Sequence, residues 1–104
     1  MTGAGRAVLA AGLMLTLAAC GGGRLESSCL ASGRAAANPA VCGCIQAVAD
    51  RELSRADQRL AASFYANPQR AQDIRQSDNP SREAFWSRYR AFGEAVERSC
   101  GRYR

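Results

Sequence analysis

Apolar residues are arranged along this chain in two ways. From Ala7 to Ala19 they run almost unbroken (AVLAAGLMLTLAA), whereas past Gly23 they recur at helical spacing between polar positions. The clearest periodic segment is the last. Phe85, Tyr89, Phe92, Val96 and Cys100 follow one another at intervals of four, three, four and four. At ~100° per residue this confines them to an arc of about 80° on one helix. Opposite lie Glu83, Arg90, Glu94 and Arg98. Arg90–Glu94 and Glu94–Arg98 are opposite charges four apart, which predicts a solvated face with its own ion pairs. Asn79-Pro80, an N-cap followed by proline at the first helical position, starts this helix, which runs to about Ser99.

The same start signals recur upstream. Asn38-Pro39 predicts a helix to about Leu53, with Val41, Cys44, Ile45 and Val48 on one stripe. Ser54, with Asp57 three residues on, resembles a capping box and begins a helix whose inner face is Leu60, Ala61 and Phe64. Asn67-Pro68 opens a short helix through Ile74, and another short helix over Glu26 to Arg34 carries Cys29 and Leu30. No run reads as a strand. The expected fold is all-α, a small disulfide-stapled bundle of about four helices. All seven aromatic residues (Phe64, Tyr65, Phe85, Trp86, Tyr89, Phe92, Tyr103) come after Ser63, so the second half supplies the aromatic core. Trp86, at the edge of the apolar arc, is the residue singled out for partner contact.

The leading apolar run is too short to span a bilayer, which takes about 20 residues, but has the length of a signal-peptide h-region behind the n-region Met1 to Arg6. It closes on Leu17-Ala18-Ala19-Cys20, which resembles a bacterial lipobox. Ordinary cleavage signals prefer a small residue where Leu17 stands. The expected organisation is a lipoprotein signal peptide over 1–19, a lipidated Cys20 with a flexible tether over 20–25, and one domain over 26–104. The thiol of Cys20 is nucleophilic enough to take a diacylglyceryl group as a thioether, and cleavage before it frees an amine for a further acyl chain. Two or more chains give stable anchoring where one gives only reversible binding. Gly21 follows the cysteine with no acidic residue beside it, and resemblance to Gram-negative lipoproteins then implies the outer membrane, with the domain facing the periplasm.

Cysteine counting agrees. Five cysteines are an odd number for an exported chain, and assigning Cys20 to lipid leaves Cys29, Cys42, Cys44 and Cys100. Four cysteines in an oxidising compartment make two disulfides with three connectivities. Within a helix, Cys42 and Cys44 point about 200° apart, so each is expected to reach a different neighbour rather than close a local ring. Order along the helices slightly favours Cys29–Cys42 with Cys44–Cys100. The mature chain of 85 residues sits near the lower limit for a self-sufficient core, so such staples are needed.

Charge and candidate chemistry change this picture little. The 14 basic residues are all Arg; losing Arg6 leaves 13 against 9 acidic residues, a net charge of +4. The charges are interleaved and the compartment is extracytoplasmic, which argues against nucleic acid. The chain contains no His, the commonest general base and metal ligand. Asp50 and Glu52 diverge on a helix, Glu94 and Glu97 share only the solvated face, and no nucleophile elbow, phosphate loop or calcium loop is present. Neither enzyme activity, a metal nor a cofactor is expected. Cys42-Gly43-Cys44 has the spacing of a small thiol–disulfide exchange site, but no basic residue lies between Arg34 and Arg51 to stabilise a thiolate.

Beyond Cys42, the run CGCIQAVADRELSRADQRLAASFYANPQRAQDIRQSD followed by EAFWSRYRAFGEAVERSC resembles a group of short exported alphaproteobacterial proteins often labelled "arginine transporter". The resemblance covers nearly all of the mature chain and implies a link to solute transport. A cleaved chain of this size has no spanning segment, cannot form a conduit and lacks the two lobes of an amino-acid receptor, so that link amounts to an accessory role. The residues themselves favour a lipid-anchored envelope protein with a structural or adaptor role and an envelope protein as partner. Transport accessory and minor redox protein are the alternatives.

Overall fold

The computed structural model describes residues 23–103. Five helices follow in order: α1 (Arg24–Ala31), α2 (Pro39–Glu52), α3 (Arg55–Ala66), α4 (Pro68–Arg75) and α5 (Pro80–Cys100), closed by a 3₁₀ turn over Gly101–Tyr103. No strand occurs among the described residues. The expected signal peptide over 1–19, the expected lipidation residue Cys20, and Gly21 and Gly22 of the expected tether lie outside them.

Three helix starts are built as cap chemistry requires. Asn38 accepts the Val41 N–H at 2.9 Å ahead of Pro39, Ser54 accepts the Asp57 N–H at 3.1 Å, and Asn79 accepts those of Ser81 and Arg82 at 2.8 and 3.2 Å ahead of Pro80. Each bond satisfies a donor that the helix itself leaves orphaned. Asn67 behaves differently. Its side chain caps nothing, because the residue also closes α3, its N–H bonding to the Ser63 carbonyl at 3.0 Å.

The first helix corrects the expected boundaries at both ends. Arg24 and Leu25, assigned to the tether, form its first turn, and Leu25 is only 1% exposed. Burying that side chain against α2 and α3 outweighs the freedom of a free linker, so the helix begins as soon as the chain reaches the core. It ends at Ala31, where the Ser32 hydroxyl bonds back to the Cys29 carbonyl at 2.7 Å. Gly33 then turns the chain at φ +72°, a left-handed conformation that glycine adopts without strain.

α2 links α1 to α5. α1 packs on one side of it and α5 on the other, while α3 lies on α1 and α4 bridges α3 and α5. Its expected stripe accordingly broadens: Cys42, Gln46, Val48 and Ala49 are buried with Val41, while Cys44 and Ile45 are only half-buried. One apolar cluster joins Leu25, Val48, Ala49, Leu53, Ala61, Ala62, Phe92 and Ala95. A second joins Phe64, Ile74 and Phe85 beneath α4. Tyr89 belongs to both, with Phe64 edge-on at 5.3 Å between ring centroids and Phe85 stacked at 5.7 Å. The α5 face bearing Glu83, Arg90, Glu94 and Arg98 is exposed, as its pattern predicts. Neither of its two expected ion pairs closes among the described residues; instead Arg88 on α5 grips Asp57 on α3, Nε donating to Oδ2 at 2.7 Å and Nη2 to Oδ1 at 3.1 Å.

Candidate functional site

The sulfurs fall where helix geometry directs them. Cys42 faces α1 and bonds Cys29, with S–S 2.07 Å; Cys44 faces α5 and bonds Cys100, with S–S 2.05 Å. Cys29, Cys42 and Cys100 are all at most 3% exposed. The C-x-C pair is therefore two separate cross-links and contains no local ring. Cys20, the expected lipidation residue, lies outside the described residues.

One recess was missed by sequence reasoning. It is a polar cleft of about 450 Å³ at the end of the bundle where the chain enters α1 and where α2 hands over to α3. Gln46 is its organising residue and the buried polar side chain of the core, 8% exposed. Its Oε1 accepts the Glu26 N–H at 3.0 Å, and its Nε2 donates to Asp50 Oδ1 and Gln58 Oε1, both at 2.9 Å. Gln58 continues the network, its Nε2 donating to the carbonyls of Ala49 at 3.2 Å and Leu53 at 3.3 Å. Both amides are thus held by several bonds, as buried polar groups must be. A Cβ on Gly23 would overlap the Gln46 side chain, so a larger residue there would force Gln46 out of its hydrogen bonds. The available signal was Gln46's position four residues after Cys42 and four before Asp50, on the α1 side of α2 rather than on the apolar stripe.

Three arginines stand around this cleft: Arg24 at the first turn of α1, and Arg55 and Arg59 on the first turns of α3. All three are exposed, and among the described residues none forms an ion pair with a carboxylate. Asp50 is the cleft's one acidic side chain, and it is already engaged by the two glutamine amides. Guanidinium forks with no protein partner suit a phosphate or carboxylate.

Two other features bear on binding. Trp86 is half-buried, its ring 5.2 Å from that of Tyr89, and its outer edge borders a recess of about 360 Å³ with Glu83, Arg90 and Glu94. The edge position read from the sequence is therefore the one it occupies. A smaller groove of about 200 Å³ lined by Val41, Ile45, Tyr65 and Val96 runs over both disulfides. Burial raises the Tyr65 phenol above its ordinary value, an effect partly offset by the Arg34 guanidinium, which lies 5.5 Å from the ring centroid. Tyr89 is raised as well, chiefly by burial. Among the described residues no group of His, Cys, Asp and Glu is arranged to hold a metal ion, and no helix is long and apolar enough to cross a membrane.

Comparison with known proteins returns no matching family model, no matching curated protein and no matching solved structure, so the reading of this chain rests on its own residues.

Proposed function

We propose that this chain is a small lipid-anchored envelope protein, held through Cys20 at the outer membrane with its domain in the periplasm, and that its role is structural or adaptor-like. The observation that carries the reading is the partition of the cysteines. Two disulfides within the bundle consume Cys29, Cys42, Cys44 and Cys100, and the remaining thiol is the one at Leu17-Ala18-Ala19-Cys20. Disulfides of this kind belong to an oxidising, extracytoplasmic compartment. The half-exposed Trp86 on a charged helix face supplies the aromatic anchor typical of a protein contact.

The alternatives fit the geometry less well. Thiol–disulfide exchange needs an accessible sulfur, whereas Cys42 is 0% exposed and its neighbour Cys44 is tied to a different helix. An accessory to arginine transport would need a site for a cation, and the main cleft carries three guanidinium groups against one carboxylate.

Fatty-acid labelling of the full chain tests the anchor: wild type takes up label, and Cys20→Ser does not and accumulates as precursor. A Cys20→Ser variant that is processed normally, beside a wild type that never takes up label, refutes it. Crosslinking from position 86 in the native envelope, with lipid preserved, tests the adaptor role; one reproducible protein adduct is expected.

A further inference from the structure

The sequence predicts a flexible tether as far as residue 25, but at Gly23 the backbone already packs against Gln46 and leads directly into α1. Three peptide units separate Cys20 from Gly23, a span of at most about 11 Å at full extension. That distance is comparable with the ~8 Å over which charges are felt at physiological ionic strength. Gly23 is itself a wall of the polar cleft. The end of the bundle carrying Arg24, Arg55 and Arg59 is therefore the end that an anchor at Cys20 holds against the bilayer.

We propose that this end is a membrane-contact surface, on which Arg24, Arg55 and Arg59 bind the phosphates of anionic lipid headgroups; the inference rests on Cys20 being the anchor. The chemistry is matched. A guanidinium presents a planar fork that binds two phosphate oxygens at once. The three side chains come from two helices and surround one recess, and among the described residues they have no ion-pair partner to give up. Asp50 lies in the same recess, but Gln46 and Gln58 donate to its carboxylate and the lining keeps two net positive charges. The Gln46 network holds α1, α2 and the start of α3 in register, which fixes the three arginines relative to one another. Acyl chains hold the protein at the membrane but leave its orientation free; a rigid basic face sets which surfaces turn towards the periplasm.

The test uses the full-chain protein purified in detergent and reconstituted into vesicles of phosphatidylcholine alone or mixed with phosphatidylglycerol. Phenylglyoxal modification is then mapped arginine by arginine. Modification of Arg24, Arg55 and Arg59 is expected to slow by at least about fivefold on the anionic vesicles, the factor that one near-surface basic contact implies, and to recover in high salt. Arg70 and Arg75 on α4 are expected to react alike on both. Equal rates for Arg24, Arg55 and Arg59 on the two vesicle types overturn the proposal. So does equal protection by inorganic phosphate without vesicles, which assigns the cleft to a soluble anion. Protection seen only when envelope proteins are added overturns it in favour of a protein partner. The intact mass of the same preparation reads acylation independently. Acylated protein with unprotected arginines sinks the headgroup site alone, and protected arginines on non-acylated protein support the headgroup site while sinking the anchor.

Discussion

Gln46 fills the space that a side chain at position 23 would occupy, so the side chain at the centre of the polar network and the glycine at the domain's entrance are sterically coupled. Gly23→Ala is expected to cost about 1–3 kcal/mol, because Gln46 is held by three hydrogen bonds and cannot swing clear. Gln46→Ala is expected to cost a similar amount, about 1–3 kcal/mol, by stranding the Glu26 N–H and its other partners. The double variant should cost less than the two together, since the shortened residue 46 makes room for the new methyl. Urea melts of the four proteins check this, and strict additivity would show that the two positions do not meet.

The two staples should differ in worth. On the chain-entropy model, removing Cys29–Cys42, which closes 14 residues, costs roughly 3 kcal/mol, and removing Cys44–Cys100, which closes 57, roughly 4. Paired Cys→Ala variants followed by thermal unfolding test the order. Peptide mapping without reductant should recover only these two bridges, and a Cys42–Cys44 peptide would contradict the structure.

On α5 the two faces should separate cleanly. Phe92 is 6% exposed between α2 and α3, and Phe92→Ala is expected to cost about 3–5 kcal/mol. Glu94, two residues on and exposed, should cost well under about 1 kcal/mol when changed to Ala. A larger effect at Glu94 than at Phe92 would mean that the supposed solvent face makes a contact.

Alkaline pH should weaken the aromatic core. Burial, the main cause, raises the Tyr89 phenol above its ordinary value of 10.0, and Tyr65 shifts the same way for the same main reason. Between the unfolded and folded values the native chain therefore holds more protons than the unfolded one, and stability falls as pH rises. The contribution is complete below about pH 10 and is lost as pH climbs through the folded values. Denaturant melts across this range should show the decline in wild type and a shallower one in Tyr89→Phe. An identical slope would assign the decline to other groups.

Much of this fold was legible along the chain because its signals are local. Asn38-Pro39, Ser54 and Asn79-Pro80 each start a helix with an acceptor a few atoms from the donors it satisfies. The 3.6-residue periodicity of Phe85, Phe92 and Cys100 sets their side of α5 before any neighbour is known. The divergence of Cys42 and Cys44 follows from the same rotation, and so does their choice of different partners.

What the tertiary structure alone decided depends on residues brought together from separate helices. Spacing from Cys42 and Asp50 gives the side of α2 on which Gln46 lies, but its burial depends on partners, Glu26 and Gln58, that lie 20 residues before it and 12 after it. The start of α1 moved from Glu26 to Arg24 because Leu25 finds a core built by α2 and α3, a gain that no local propensity records. Arg24, Arg55 and Arg59 are unremarkable among 14 arginines when read in order. They become one surface only because the chain's entry into α1 and the turn from α2 to α3 meet at the same end of the bundle. Periodicity tells which way a side chain leaves its own helix, but which side chains then share a space is set by how the helices pack.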